Sequence, residues 1–330
     1  MCFDVLIYTY KTYLRAVIFN FRGDMSFQKG FFTAIDKVMD GAQNRRVRKK
    51  LAGRDYILDR DIVYDEGEPQ VCRLDICRLP DEGKYPVMFY LHGGGFVAGD
   101  KHYRRALSAF FALLGYLVVN VNYGLGPEYK CPRQHRQLIS ALNWLEDNAE
   151  TFNIDLSRLA VGGDSAGAYY ASVLACICAD NTLQQRIGAF TRLKFGAAVL
   201  NCGVYDMNML MHGNIPFGLG PRVLEDIAGI KQNEMEGYEW NFLCDVPALV
   251  NGSFPATFLT YAQKDIFCGG QSEALIAAFK KNGVYYEQFH SRKYADNHCF
   301  SLNWSGRAAR KNNAYTADFL NRFANGALRK

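Results

Sequence analysis

Much that would declare a function at once is missing from these 330 residues. No Cys-x-x-Cys pair and no His-Glu-x-x-His occurs, so the spacings that announce a zinc or redox centre are absent and no metal is expected. The opening apolar stretch Val5-Leu6-Ile7-Tyr8 is broken by Lys11 and Arg15, too soon for a signal core or a membrane span. Position 2 is Cys, not the Gly that myristoylation needs. Repeats and low-complexity tracts are lacking. Charged residues make up only 22% against 49% hydrophobic, a globular balance that excludes a disordered chain. The net charge of +5 is weak for a nucleic-acid binder, and no nucleic-acid partner is expected. Ten cysteines are present, but in a chain long enough to need no staples they read as free thiols of a reducing compartment, with the cytoplasm as default.

The small charge surplus is unevenly placed. Residues 1–64 hold 12 basic and 7 acidic side chains, and the remainder holds 26 of each. Aromatics crowd there too, with 9 of 46 in residues 1–32. Phe3, Ile7, Tyr10, Leu14, Val17 and Phe21 recur at helical spacing, which predicts an amphipathic helix packed on its own protein; a membrane-surface helix is the alternative. The run Arg45 to Lys50 reads as a solvated charge patch. Residues 1–55 are therefore expected to be a helical segment apart from the rest.

From residue 57 the rhythm becomes strand, helix, strand, which argues a mostly parallel sheet covered on both faces. Ile62–Tyr64 and Val71–Leu79 read as an antiparallel pair. Strands are expected at 87–91, 116–123, 159–161, 195–200, 257–262 and 284–290. Helices are expected at 132–150, from 166 to about 179, at 269–282 and at 308–325. Residues 207–250 break the period and hold four of the eight methionines, as an insertion forming a lid would.

Gly163-Asp164-Ser165-Ala166-Gly167 is a Gly-x-Ser-x-Gly match between an apolar run and a helix-forming run. That is the setting of a sharp strand-to-helix turn that exposes a strained nucleophilic serine. Some seventy residues earlier, His92-Gly93-Gly94-Gly95 follows another apolar run. Consecutive glycines let backbone N–H groups approach a developing oxyanion, and Ala166, next to the serine, supplies a further donor. A phosphate cradle would need Lys-Ser/Thr or Gly-x-Gly-x-x-Gly; Phe96-Val97-Ala98 follows instead. His92 itself is expected to anchor the loop.

In this chemistry the acid and base follow the serine in the chain. Downstream lie His212, His290 and His298. His298, in the polar loop Ala295-Asp296-Asn297 before the last helix, is the favoured base because a base must reach the serine from a loop. Asp265, after an apolar run and before a helix, is the favoured acid; Asp206 is the runner-up, and Asp296 is too near His298 to orient its ring.

Together His92-Gly-Gly-Gly-Phe96, Tyr123-Gly-Leu-Gly-Pro-Glu128, Gly163-Asp-Ser-Ala-Gly167 and Asn297-His298-Cys-Phe300 resemble the hormone-sensitive-lipase-like branch of the α/β-hydrolases, over about residues 60–320. The resemblance implies an eight-stranded sheet flanked by helices, a helical cap, no cofactor and hydrolysis of short-acyl carboxylic esters. It implies a triad of Ser165, Asp265 and His298 and an oxyanion hole from the amides of Gly94, Gly95 and Ala166. Residues 56–330 would then be the catalytic domain, with a cap built from residues 1–55 and the insertion at about 207–250, acting as monomer or homodimer. Three positions depart from the family. Gly124 replaces an arginine, Gly269 stands where a second acid follows the first by four residues, and Cys299 replaces a commoner glycine. An amidase or peptidase would share the triad. A membrane-surface lipase would dock through residues 1–30, and a non-catalytic ligand-binding protein, as among the gibberellin receptors, would be expected to lack the histidine.

Overall fold

The computed structural model describes residues 26–37, 53–80, 83–213, 215–304 and 306–328. The predicted amphipathic stripe from Phe3 to Phe21 and the basic run at 45–50 lie outside these residues. Eight strands form one sheet: β1 (Ile57–Val63), β2 (Arg73–Arg78), β3 (Tyr85–Leu91), β4 (Leu117–Val121), β5 (Ile154–Asp164), β6 (Ala197–Asn201), β7 (Ala256–Ala262) and β8 (Tyr286–Ser291). Their order is β1-β2-β4-β3-β5-β6-β7-β8. β2 runs antiparallel to both neighbours, and every pair from β4 onward is parallel. The central strands β3, β4, β6 and β7 are buried along their whole length. Strands covered on both faces carry continuous apolar runs, which is why these four are easily read from sequence.

The fold class is the expected α/β arrangement, with eight mostly parallel strands. One strand is much longer than its apolar core predicted. β5 starts at Ile154, because Tyr85 of β3 pairs with it across an irregular register before the regular pairing from Leu159 begins. The polar residues Asp155, Ser157 and Arg158 hide that extension from any hydrophobic pattern.

Helices cover the sheet. The first, α1, spans residues 27–37. α2 (Arg105–Ala112) and α3 (Arg133–Asp147) flank β4, and α4 (Ala166–Ala179) follows β5. α4 is almost entirely buried, and its small residues Ala166, Gly167, Ala168 and Ala171 let it lie close to the strands. α5 (Asn181–Ile187) is capped by the Asp180 carboxylate, which accepts the Thr182 and Leu183 N–H groups, and it ends on left-handed Gly188. Between β6 and β7 the chain forms α6 (Met207–His212), α7 (Leu219–Ala228) and α8 (Val246–Leu249), linked by short 3-10 turns. The last helices are α9 (Gln271–Asn282) and α10 (Arg307–Ala324). α2 and α5 were not expected from the sequence.

α1 belongs to the same packed body. Gln28 donates to Asp226 of α7 and Lys29 pairs with Glu128. Phe27 and Phe31 meet the Phe217 ring at 6.0 and 5.8 Å between centroids. Residues 27–37 and the 207–250 stretch therefore close over the same side of the molecule.

Candidate active site

Ser165 stands between β5 and α4 with φ 53° and ψ −120°, a conformation that costs a side-chain-bearing residue strain. Its N–H donates to the Asn201 carbonyl at the end of β6. The flanking glycines are sterically required. A Cβ on Gly163 would lie 2.3 Å from the Gly167 carbonyl oxygen, and one on Gly167 would lie 2.1 Å from that of Leu91.

The glycine loop after β3 lies against this turn, since a Cβ on Gly93 would fall 3.0 Å from Ser165 Cβ. His92 is buried and stacks on Tyr123, with centroids 4.6 Å apart, while the Tyr123 hydroxyl donates to the His92 carbonyl. Burial pulls the His92 pKa down to about 4, so its ring is neutral and does structural work. Gly94 has φ 134° and Gly95 φ 60°. Among the described residues, the N–H groups of Gly94, Gly95 and Ala166 donate to no other group.

The structure brings Ser165, His298 and Asp265 into one hydrogen-bonded chain. Ser165 Oγ lies 2.9 Å from His298 Nε2, and His298 Nδ1 lies 2.9 and 3.0 Å from the two Asp265 oxygens. Asp265 sits in the turn after β7, where its Oδ1 also accepts the Phe267 and Cys268 N–H groups. Burial alone would raise its pKa; the His298 ring and the two amides outweigh that and hold it below the usual carboxylate range. The Asn297 amide oxygen accepts both the His298 and the Ile266 N–H, and so ties the histidine loop to the aspartate loop. The other candidates are engaged elsewhere. His212 is exposed and meets the Asn208 carbonyl, His290 stacks on Tyr261, Asp206 caps α6 and Asp296 accepts the Ser291 hydroxyl.

Sequence reasoning missed the group that supports the elbow from beneath. Asp164 is buried and accepts two hydrogen bonds from Arg104 at 2.8 and 2.7 Å, one from the Tyr90 hydroxyl and one from the Gly93 N–H. Arg104 also reaches Asp36 of α1, at 3.3 Å. Two carboxylates thus share one guanidinium away from water. Asp164, with the better contacts, stays ionised with a lowered pKa; burial pushes Asp36 up to about 6. A buried aspartate inside the serine motif implies a cationic partner, but nothing local names Arg104.

Aromatic rings from α1 complete the surroundings. Phe32 packs so closely on Gly95 that a Cβ there would fall 2.2 to 2.5 Å from its ring. Phe267 meets His298 edge-on at 5.1 Å and packs on Phe31 and Phe32. The departures from the family pattern also gain a setting. A Cβ at Gly124 would lie 2.3 Å from Tyr129 Cγ, so the ring fills the space that a side chain would need. Gly269 lies next to the Asp265 carbonyl, and Cys299 has the left-handed φ of 50° natural to glycine. Among the described residues two groups could share a metal ion: Cys202 with His298 and Cys299, and Asp265 with Cys268 and His298.

Residues 88–300 match the model of a family described by the alpha/beta hydrolase fold. The chain belongs to that family, in the hormone-sensitive-lipase-like branch its motifs resemble. Among curated relatives it is 38% identical over 97 residues to Esterase LipI and 33% identical over 171 residues to the probable carboxylic ester hydrolase LipM, both of Mycobacterium tuberculosis. These stretches are 29% and 50% of this chain and span only 30% and 39% of the relatives' lengths. Among solved structures, Esterase B of Lactobacillus rhamnosis superposes with a TM-score of 0.73 over 89% of this chain and 97% of its own, at 23% identity. That likeness is one of fold.

Proposed function

We propose that this chain is a serine carboxylic ester hydrolase that turns over short-acyl esters through an acyl-enzyme. The observation that carries the reading is the relay Asp265–His298–Ser165 at 2.9 to 3.0 Å, set beside three uncommitted amides. The Asp265 carboxylate fixes the tautomer in which His298 Nδ1–H donates to it and Nε2 faces the serine. Nε2 takes the Ser165 proton as Oγ attacks the ester carbonyl. The Gly94, Gly95 and Ala166 N–H groups receive the oxyanion, a contribution worth roughly a hundred- to a thousand-fold per donor. His298 then protonates the departing alcohol, and water repeats the sequence on the acyl-enzyme. None of these steps calls for a cofactor.

The esterase names of the relatives favour esters as the substrate class. A small acyl group is favoured by Phe32, whose ring crowds Gly95 of the hole, and by the aromatic packing of Phe31, Phe217 and Phe267 behind it. In this reading α1 and the 207–250 stretch form the cap. Among the described residues no helix is long and apolar enough to cross a membrane, and the nine cysteines among them are free, which suits a reducing compartment.

The test is hydrolysis of p-nitrophenyl acetate and butyrate by the parent and by Ser165→Ala. The variant is expected to lose on the order of 10⁴- to 10⁶-fold in kcat/KM with unchanged circular dichroism. Equal rates would remove Ser165 from the reaction and overturn the reading.

A further inference from the structure

Three loops at the carboxyl edge of the sheet each bring a cysteine to the Asp265–His298 pair, and ester hydrolysis by a serine uses none of them. Cys202 follows β6, Cys268 lies in the aspartate turn and Cys299 adjoins His298; all three are buried. The Cys202 and Cys299 sulfurs and a His298 ring nitrogen all lie within 4.8 Å of one another. An Asp265 oxygen, the Cys268 sulfur and a His298 ring nitrogen do so as well. Cys202 and Cys299 both hold left-handed backbone, at φ 47° and 50°. A cysteine in that region is strained, and here two of them lie beside one histidine.

We propose that Cys202, Cys299 and His298 form a binding site for a thiophilic divalent cation of the Zn²⁺ or Cd²⁺ class, and that an ion held there withdraws His298 from Ser165. Two sulfurs and an imidazole are the donor set such cations prefer. With metal–sulfur bonds of about 2.3 Å and metal–nitrogen bonds of about 2.0 Å, tetrahedral ligand atoms stand roughly 3.5 to 3.8 Å apart. The observed cluster therefore needs to contract by at most about 1.3 Å. Asp265 and Cys268 lie beside it as further oxygen and sulfur donors. The step is a ligand exchange: each thiol releases its proton to solvent as its sulfur binds the cation, and nothing is oxidised or reduced. The inhibitory half rests on His298 acting as the base proposed above; the binding half does not.

Titration of the full chain with CdCl₂ tests the site. The thiolate-to-cadmium charge-transfer absorption is expected to saturate at one equivalent, to persist in Ser165→Ala and to be lost in Cys202→Ser/Cys299→Ser. Cys299→Gly, which suits the left-handed backbone, serves as a second variant and is also expected to lose it. Absence of the band in the parent, or its persistence in both cysteine variants, would overturn the proposal. In parallel, CdCl₂ is expected to inhibit p-nitrophenyl acetate hydrolysis reversibly by EDTA. The half-inhibitory concentration should rise at least about tenfold in the cysteine variants, each measured against its own metal-free rate. Equal sensitivity of parent and variants would overturn the inhibitory role. A chain that hydrolyses no ester would defeat the functional reading, while the absorption titration would still decide the site.

Discussion

Replacing Asp36 by Asn should make this protein more stable at neutral pH, although it removes half of a buried ion pair. Breaking such a pair ordinarily costs about 3 to 5 kcal/mol, because the remaining charge is left alone away from water. Here Arg104 is not left alone. Asp164 holds it with two hydrogen bonds at 2.7 and 2.8 Å, whereas Asp36 has a single contact at 3.3 Å. Burial, with the charge of Asp164 adding to it, outweighs the pull of Arg104, which is why Asp36 rises from 3.8 to about 6. At about 1.4 kcal/mol per pH unit, this rise corresponds to about 3 kcal/mol. The folded chain holds the Asp36 proton more tightly than the unfolded chain does. Its contribution to stability is therefore complete below pH 3.8, falls as pH rises, and is gone above about pH 6. Asn mimics the protonated acid at every pH and still offers Arg104 an oxygen. Urea unfolding of parent and variant from about pH 4.5 to 7.5 reads the difference, which should grow in the variant's favour by about 2 kcal/mol across that range. A gap independent of pH, or a variant less stable than the parent at pH 7.5, would refute the reasoning.

Two other substitutions probe the packing around the site. Arg104→Met leaves Asp36 and Asp164 facing each other without a cation, and should lower stability by about 3 to 5 kcal/mol in the same unfolding measurement; a loss under about 1 kcal/mol would mean the guanidinium is dispensable. Gly124→Arg restores the family's residue but drives a Cβ to 2.3 Å from Tyr129, so the melting temperature should fall in step with about 1 to 3 kcal/mol of overpacking. An unchanged melting temperature would show that the Tyr129 ring moves aside freely.

The parts legible in the sequence were those whose cause is local. β3, β4, β6 and β7 announce themselves as apolar runs because both faces of the sheet are covered. Gly163 and Gly167 are legible because the turn they make with Ser165 tolerates no side chain on either of them. The polar start of β5 was hidden, since Asp155, Ser157 and Arg158 lie in an irregular stretch between the Ile154 and Leu159 pairings with β3. α2 and α5 escaped because each is only about two turns long, too short for a clear hydrophobic period, although Asp180 and Gly188 mark the ends of α5.

Order along the chain nominated His298 and Asp265 out of several histidines and acids, but order carries no distances. That His298 reaches Ser165 while His290 turns to Tyr261 is settled by place, since His298 lies in the loop after β8 and His290 within β8 itself. The same holds for Arg104, Asp36, Asn297 and the three cysteines around the acid–base pair, each brought there by an element distant in sequence. Sequence by itself determined the strand-and-helix alternation, the strained elbow and the glycine loop, because backbone geometry and hydrophobic period act over a few residues. Only the tertiary structure decided what lies beneath the elbow and around the histidine. Charge neutralisation and ring packing in a buried site depend on side chains that meet across tens to hundreds of residues, and no local pattern records those meetings.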